Sequence, residues 1–234
     1  HAKTDFLARM SHDIRTPLNG IMGMTQLCLE ENDPDLIHEY LRKIDTSSHF
    51  LLGLLNDILD MSRIEKGVIN LESDVYSLFE FKASLNSIIV PLCTNKDITL
   101  NIQIEKDCSF ITDKQKFNQV FFNLLSNSVK FTEVGGTIDV IAENVSAAEN
   151  DTVSFDLIVR DYGCGMSEEF QKKMFEAFSQ ERNSMTNMNQ GSGLGLAIVK
   201  SFVEKMGGTI QVQSSTAKEN HGTTSSVHFV LPVA

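Results

Sequence analysis

The first part of the chain is best interpreted from the stretch Ser11-His12-Asp13-Ile14-Arg15-Thr16-Pro17-Leu18-Asn19-Gly20. Apolar side chains recur at three- and four-residue spacing before it and through it, which predicts an amphipathic helix. On such a helix, His12 and Thr16 lie on one face because they are four residues apart. Asp13 lies about 100° further round, where its carboxylate can reach an imidazole nitrogen.

This pairing of side chains suits a nucleophilic histidine. A neutral imidazole attacks through a bare nitrogen, and a carboxylate that accepts from the other N–H fixes the tautomer and takes up developing positive charge. Pro17 has no N–H to offer the carbonyl of Asp13, so we expect a kink or a loosened turn there. From this stretch alone, a solvated His–Asp pair with an accidental proline is an equal alternative.

Two long amphipathic helices are predicted as far as Lys66. The first ends near Glu30 or Glu31, and Asn32-Asp33-Pro34 supplies a turn, a cap and a proline suited to the first turn of the next helix. Helices joined by so short a turn form an antiparallel hairpin. One hairpin cannot cover both apolar stripes, so we expect a homodimer whose two hairpins form a four-helix bundle.

The composition is that of an acidic globular protein. The 234 residues carry a formal net charge of −11, which argues against nucleic acid or an anionic membrane as the main partner. No apolar stretch is long enough to span a bilayer, and no signal-peptide pattern opens the chain. The four cysteines have neither metal spacing nor a disulfide framework, so they indicate reduced thiols. We expect a cytoplasmic fragment of a longer protein, whose membrane anchor, if it has one, belongs to a missing N-terminal sensor region.

A change of pattern at Lys66-Gly67 predicts a boundary between a domain at 1–67 and a second domain at 68–234. Alternating residues at Val68–Leu71 predict that the second domain opens with a strand. Its other predicted elements are helices at Ser77–Leu92, Asp113–Phe131, Glu168–Phe175 and Leu194–Met206, strands at Ile98–Ile104, Thr137–Val145, Val153–Asp161, Thr209–Gln213 and Thr223–Leu231, and a loop at Ser146–Asp151. Strands and helices that do not alternate strictly predict an α+β sandwich with helices on one face of a mixed sheet.

One polar motif lies on the predicted helix Asp113–Phe131. Asn123, Asn127 and Lys130 follow one another at four and three residues and therefore share a helix face. Amide oxygens are ligands that suit Mg²⁺, and a lysine beside them can hold phosphate oxygens. Phe131, just past them, can pack against a base. The polar outer face of an ordinary helix remains the alternative.

Two further motifs contain glycines. Asp161-Tyr-Gly163-Cys-Gly165-Met166 ends a strand, where a carboxylate can accept from the amino group of adenine and glycines allow close backbone approach. An ordinary Asp-Gly turn is the alternative. Gly191-Ser-Gly-Leu-Gly-Leu-Ala197 opens a helix after the polar run Ser179–Gln190, and its backbone N–H groups and helix dipole predict a phosphate cradle. It is neither a Walker loop nor a dinucleotide fingerprint.

Taken in order, these motifs resemble the sequence boxes of the sensor histidine kinases of two-component signalling. The resemblance matches Ser11–Gly20 to the phosphoacceptor box, Asn123–Phe131 to the asparagine box, Asp161–Met166 to the first glycine box, Met174–Phe178 to the phenylalanine box and Gly191–Leu196 to the second glycine box. It implies a dimerisation and histidine-phosphotransfer domain at 1–67 and a Bergerat-type ATP-binding domain, an α/β sandwich, at 68–234.

For the first domain, the resemblance implies that His12 accepts the phosphoryl group and that Asp13 acts as its base. Thr16 corresponds to the position that orients water when such a kinase dephosphorylates its partner. The implied partner is the receiver domain of a response regulator, either a separate protein or part of the same full-length chain. The wording of the motif, His-Asp followed by Arg-Thr-Pro-Leu-Asn-Gly, resembles hybrid kinases that carry a receiver domain further on.

For the second domain, the resemblance implies a site for ATP and Mg²⁺. Asn127 would hold Mg²⁺ with Asn123 assisting, Lys130 would contact phosphate, Asp161 would accept from the adenine amino group, and Ser179–Gln190 would form a mobile lid. The other residues of the implied nucleotide site are Phe131, Gly163, Gly165, Met166, Phe175, Phe178, Gly191, Ser192, Gly193, Leu194, Gly195 and Leu196.

Two other functions are compatible with parts of this pattern. Gyrase- and chaperone-type ATPases of the Bergerat class use a glutamate one turn before the magnesium asparagine, where this chain has Asn123, which cannot act as a base. A dimeric scaffold that binds nucleotide without catalysis is the second alternative, although the chain carries every expected active-site group. The histidines outside the first motif, His38, His49, His221 and His228, are predicted to be surface or packing residues.

Overall fold

The computed structural model describes residues 2–148, 151–181, 192–217 and 221–234, with the side chains of 2–9 and 147–148 left aside. The chain divides into two compact units, His1–Lys66 and Gly67–Ala234. Within the described ranges, no helix is both long and apolar enough to cross a membrane.

The first unit is an antiparallel pair of helices, α1 at Ala2–Glu30 and α2 at Pro34–Glu65. The carboxylate of Asp33 caps α2 by accepting from the N–H of Asp35, and Pro34 occupies the first turn, where a missing N–H costs nothing. The helical hairpin predicted from the sequence is therefore confirmed. Helix α1 continues through Pro17, and the kink expected there stays a prediction.

The second unit combines two sheets with four helices among the described residues. Its elements are β1 (Asp74–Ser77), α3 (Leu78–Asn95), β2 (Thr99–Gln103), β3 (Ser109–Thr112), α4 (Lys114–Phe131), β4 (Thr137–Ala148), β5 (Thr152–Asp161), α5 (Glu168–Gln171), α6 (Gly195–Lys205), β6 (Thr209–Ser215) and β7 (Gly222–Pro232). The larger sheet has the order β2-β4-β5-β7-β6, with β2 parallel to β4 and the other neighbours antiparallel. Strands β1 and β3 form a separate antiparallel pair. The predicted α+β sandwich is confirmed.

An aromatic cluster fills the space between the helices and the large sheet. Phe117 of α4 lies at its centre, with its ring centroid 5.3 Å from that of Phe81 on α3 and 5.3 Å from that of Phe229 on β7. Strand β5 alternates buried and partly exposed residues along its whole length, as expected for a sheet with one covered face. This packing holds α4, the helix with the asparagine motif, against the sheet.

The structure corrects several predicted boundaries. Residues 68–71 form no strand; the unit opens instead with β1, which pairs with β3, and both strands have only four residues, too few for a recognisable alternation. Strand β4 continues to Ala148 past a bulge after Glu143, so that much of the predicted loop Ser146–Asp151 belongs to the ladder with β5. Helix α3 starts after its capping residue Ser77 and runs through Pro91, and α5 ends at Gln171 rather than Phe175.

Candidate functional site

His12 presents an open imidazole on α1. Its side chain is 73% exposed, and Nδ1 lies 3.2 Å from Oδ1 of Asp13, whose side chain is 35% exposed. A carboxylate can only accept, so this contact places the proton on Nδ1 and leaves Nε2 bare. The geometry therefore gives an accessible nucleophilic nitrogen backed by a carboxylate.

Thr16 lies one helical turn after His12. Its hydroxyl donates to the carbonyl of His12 at 3.1 Å, which fixes the rotation of the side chain. With the proton engaged in this bond, the oxygen lone pairs of Thr16 can accept from water beside the imidazole.

Helix α4 brings Asn123 next to the start of α6. Asp113 caps α4 by accepting from the N–H of Lys116 at 2.9 Å. The amide nitrogen Nδ2 of Asn123 is buried and has no hydrogen-bond partner among the described residues. The Asn123 side chain also comes within 4.0 Å of the position that a Cβ on Gly195 would occupy. An unpaired buried donor close to a glycine-containing helix start suits the binding of a phosphate group.

The end of α4 carries the cationic part of the motif. Asn127 is half-buried on α4, one turn after Asn123. The ammonium group of Lys130 lies 5.0 Å from the ring centroid of Phe131, and burial lowers the pKa of Lys130. Lys96, which the sequence did not single out, donates to the carbonyls of Val129 at 2.8 Å and Lys130 at 2.9 Å. Lys96 thereby caps the helix that presents these groups.

Asp161 is a buried carboxylate at the end of β5. Its Oδ2 accepts from the hydroxyl of Ser128 at 3.0 Å, and its Oδ1 accepts from the N–H of Gly163 at 3.1 Å. Burial raises the pKa of Asp161, while the hydrogen bonds from Gly163, Ser128 and the backbone of Thr223 act in the opposite direction. Asp161 is thus oriented by several donors, although burial penalises its charge.

The glycines after Asp161 are required by close backbone approaches. A Cβ on Gly163 would lie 2.6 Å from the carbonyl oxygen of Phe131, and one on Gly165 would overlap the carbonyl of Ser215. Gly165 also has a φ of +68°, in the left-handed region. The first glycine box therefore packs against the end of α4, with Gly163 directly beside the carbonyl of Phe131.

The phenylalanine and second glycine boxes meet through Phe178 and Gly193. The N–H of Phe178 donates to the carbonyl of Gly193 at 2.9 Å, and Phe178 adopts a φ of +65°, unusual for a bulky residue. The hydroxyl of Ser192 accepts from the N–H of Leu194 at 3.2 Å. Gly191 and residues 182–190, which include most of the expected lid, lie outside the described residues.

The remaining predicted residues surround this region. The N–H of Met166 donates to the hydroxyl of Ser214 at 2.8 Å, and the ammonium of Lys200 lies 5.4 Å from the ring centroid of Phe175. Leu194 is buried and Leu196 is half-buried at the start of α6. Four residues that contact the motifs were not predicted as site residues: Ser128, Lys96, Ser214 and His221. Their contacts are with residues distant in the chain, which a sequence pattern does not show.

Comparisons with known proteins assign this arrangement to a family. Residues 112–234 match the histidine kinase-, DNA gyrase B-, and HSP90-like ATPase family, to which the chain belongs. Residues 2–67 match the His Kinase A (phospho-acceptor) domain. The two matches, in this order, define the catalytic core of a sensor histidine kinase, an ATP-dependent protein-histidine kinase of two-component signalling, as the sequence motifs predicted.

Individual relatives agree with this assignment. Over 235 residues the chain is 40% identical to the autoinducer 2 sensor kinase/phosphatase LuxQ of Vibrio harveyi, covering 99% of this chain and 26% of LuxQ. Full-length ShkA, solved in complex with AMPPNP, has a TM-score of 0.67 at 27% identity and matches 98% of this chain and 46% of ShkA. The histidine kinase ThkA, solved in complex with the response regulator protein TrrA, has a TM-score of 0.66 at 21% identity, matching 97% of this chain and 61% of that one. The chain spans about a quarter of the length of the curated relatives it matches.

Proposed function

We propose that this chain transfers the γ-phosphoryl group of ATP to His12 and then to an aspartate on the receiver domain of a response regulator. The observation that carries the proposal is the exposed His12 ring with Nδ1 held 3.2 Å from Asp13. In this proposal, residues 1–67 form the dimerisation and phosphotransfer domain, and residues 68–234 form the catalytic ATP-binding domain.

The transfer to His12 is a displacement at phosphorus in which one bond forms and one bond breaks. The lone pair of Nε2 attacks the γ-phosphorus, the Nε2–P bond forms, and the bond from phosphorus to the bridging oxygen breaks to release ADP. Positive charge develops on the ring, and Asp13 accepts the Nδ1 proton or shares it. In the second step, a receiver carboxylate attacks the same phosphorus and the imidazole leaves.

The residues of the second domain fit a magnesium-bound triphosphate. The unpaired Nδ2 of Asn123 can donate to a phosphate oxygen. The half-buried side chain of Asn127 offers a neutral amide oxygen as a metal ligand. Lys130 supplies a cation, and the N–H groups at the start of α6 supply neutral donors. When bound, Mg²⁺ screens the charge of the polyphosphate, which favours displacement at the γ-phosphorus.

Asp161 is proposed to select adenine. A carboxylate accepts from an exocyclic amino group, which adenine carries at position 6, where guanine carries a carbonyl oxygen that cannot donate. The hydrogen bonds from Ser128 and Gly163 hold the Asp161 carboxylate in a fixed orientation before nucleotide binds. Preorganisation of this kind reduces the entropy lost on binding.

A second copy of the chain is proposed to cover the helical hairpin. Among the residues of α1 and α2 whose side chains are described, ten large apolar ones are exposed: Leu18, Met22, Leu27, Leu29, Leu36, Leu41, Phe50, Leu52, Leu55 and Leu59. An exposed apolar surface of this kind marks an interface, and two such hairpins complete a four-helix bundle. The homodimer predicted from the sequence follows from the same reasoning.

The receiver partner and the reverse reaction rest on the relatives. ThkA is described in complex with a response regulator, and LuxQ is named a kinase/phosphatase. We extend both properties to this chain, with Thr16 orienting the water that hydrolyses the receiver phosphate.

The chemistry of the phosphorylated product tests the proposal. After incubation with MgATP, the protein should carry one phosphoryl group that is stable in base and lost in acid, as a phosphoramidate is. Mass spectrometry should place it on the peptide that contains His12. ATP binding without any such product would contradict the proposal and favour the non-catalytic scaffold.

A further inference from the structure

The first glycine box contacts the end of β6 and the start of β7. Ser214 on β6 accepts from the N–H of Met166 and contacts the carbonyl of Gly222 at 2.9 Å and the hydroxyl of Thr223 at 2.8 Å. A Cβ on Gly222 would overlap the carbonyl of Asp161. The segment that begins β7 is therefore packed against the loop that carries Asp161.

His221, directly before β7, adds a side-chain contact to this support. Its Nδ1 lies 2.7 Å from the carbonyl oxygen of Gly163. A carbonyl can only accept, so the imidazole donates and the proton is on Nδ1. The N–H of the same glycine donates to Oδ1 of Asp161 at 3.1 Å. Gly163 therefore links His221 to Asp161.

This link matters because glycine rotates freely about its backbone bonds. With no Cβ, Gly163 has a wide range of φ and ψ, so its neighbouring peptide groups are not fixed by the residue itself. The hydrogen bond from His221 restrains the peptide group between Gly163 and Cys164, which contains the carbonyl of Gly163. The contact with Asp161 is made by the other peptide group, between Tyr162 and Gly163. Without His221, the carbonyl of Gly163 loses this hydrogen bond, and the same peptide group is held by the longer contact from the N–H of Cys164 to the carbonyl of Phe131 at 3.4 Å.

We propose that His221 is a positioning residue for the adenine base, holding Gly163 so that the Asp161 carboxylate faces the amino group. The inference rests on the proposed role of Asp161 in nucleotide binding and adds a residue outside the recognised sequence boxes. His221 touches neither the phosphates nor His12 in this account. Its effect is therefore on affinity and base selectivity, not on the rate of phosphoryl transfer.

Replacing His221 with alanine tests the proposal. His221→Ala should weaken ATP binding roughly five-fold, the worth of about one net hydrogen bond, measured by calorimetry with AMPPNP and as KM for labelling. The maximal rate should change less than about two-fold. Purine riboside triphosphate, which lacks the 6-amino group, should bind the variant and the unmutated chain equally well, because its base makes no use of Asp161.

Two further variants separate positioning from general stability. His221→Asn keeps an N–H donor close to the position of Nδ1 and should restore most of the affinity, whereas His221→Gln places its donor further out and should not. His228→Ala is the matched control. Nδ1 of His228, on β7, contacts Asp156 on β5 at 2.7 Å. His228 lies six residues after Gly222, about 20 Å along the strand. That variant should bind ATP like the unmutated chain.

The outcomes distinguish this inference from the proposed function. The role of His221 is overturned if His221→Ala binds ATP with unchanged affinity, or if it loses affinity equally for ATP and for purine riboside triphosphate. In either case, labelling of His12 in the unmutated chain would still support the kinase proposal. If the alanine variant does not fold, equal affinities of the asparagine and glutamine variants overturn it. An unmutated chain that binds no ATP contradicts both proposals.

Discussion

Ser128 and Asp161 join the two halves of the candidate nucleotide site, with the hydroxyl of Ser128 3.0 Å from Oδ2 of Asp161. Ser128 is on α4, one residue after Asn127, and Asp161 ends β5. This hydrogen bond couples the helix that carries the proposed phosphate ligands to the carboxylate proposed to bind the base.

ATP affinity is predicted to fall in acid through Asp161. Burial raises the pKa of this carboxyl in the free protein, whereas a donor from adenine favours the charged form. Affinity should therefore decrease as the pH falls through the raised pKa, at a higher pH than for an ordinary aspartate near 3.8. Calorimetric titrations with ATP at a series of pH values measure this change in affinity. An equally steep dependence in Asp161→Asn would contradict the assignment.

Asp161→Asn should also separate binding from stability. We expect ATP affinity to fall about ten-fold or more, as for loss of a hydrogen bond to a charged group. A group whose pKa is raised on folding contributes stability below its unfolded pKa and loses that contribution as the pH rises through the folded value. The nucleotide-free variant should therefore be at least as stable as the unmutated chain at neutral pH, measured by denaturant unfolding. A strongly destabilised variant would contradict this account of the buried charge.

Gly165→Ala is predicted to be strongly destabilising. The new Cβ would overlap the carbonyl of Ser215, and alanine would be strained at a φ of +68°. We expect a loss of about 2–4 kcal/mol from overpacking and backbone strain together. Gly207→Ala is the matched control, because Gly207 has a φ of +78° but nothing within 4 Å of its Cβ position. Equal losses in the two variants would show that the close approach to Ser215 is unimportant.

Lys96→Met is predicted to loosen the end of α4. The substitution keeps the apolar part of the side chain but removes two donors to the carbonyls of Val129 and Lys130. We expect the free energy of unfolding to fall by about 1–2 kcal/mol. ATP binding should also weaken, because Lys130 and Phe131 lie in the helix end that Lys96 holds. Lys106→Met, at an exposed site, serves as control. If both variants unfold at the same denaturant concentration as the unmutated chain, the cap has no energetic role.

Asp13→Asn is predicted to slow phosphorylation of His12 by about 100-fold, a typical effect for loss of a catalytic base. The amide still accepts from Nδ1, so the tautomer is kept while the charge that stabilises the ring is lost. Asp45→Asn is a close control, because Asp45 lies 3.4 Å from Nδ1 of His49 in a similar exposed pair on α2. The rates at which MgATP labels Asp13→Asn and Asp45→Asn are compared with the rate for the unmutated chain. A normal rate in Asp13→Asn would assign Asp13 a structural role only.

The sequence predicted the elements with long periodic patterns, and the site residues that it proposes are those grouped in motifs. The two hairpin helices and α4 were recognisable because many apolar positions, such as Phe117 and Leu124, repeat at helical spacing. Strands β1 and β3 were missed because each has four residues and forms only by pairing with the other. Such pairing depends on chain segments that single-sequence patterns do not connect.

The missed contacts in the site have the same physical origin. Lys96 lies 33 residues before Val129, one of the two residues whose carbonyls it contacts, and His221 follows Gly163 by 58 residues. Neither spacing has a local signature, unlike the four-residue step from Asn123 to Asn127. Motif reasoning therefore located the groups proposed to touch ATP but not the residues that hold them in place.

The central proposal is tested most directly by incorporation of labelled γ-phosphate from MgATP into the unmutated chain, His12→Gln and Asn127→Ala. The account predicts rapid labelling of the unmutated chain, none in His12→Gln, and a loss of at least about 10- to 100-fold in Asn127→Ala, since even changes to the outer shell of a metal site cost that much. His12→Gln should still bind AMPPNP with normal affinity. Labelling that persists in His12→Gln would contradict the assignment of His12 as the phosphoryl acceptor.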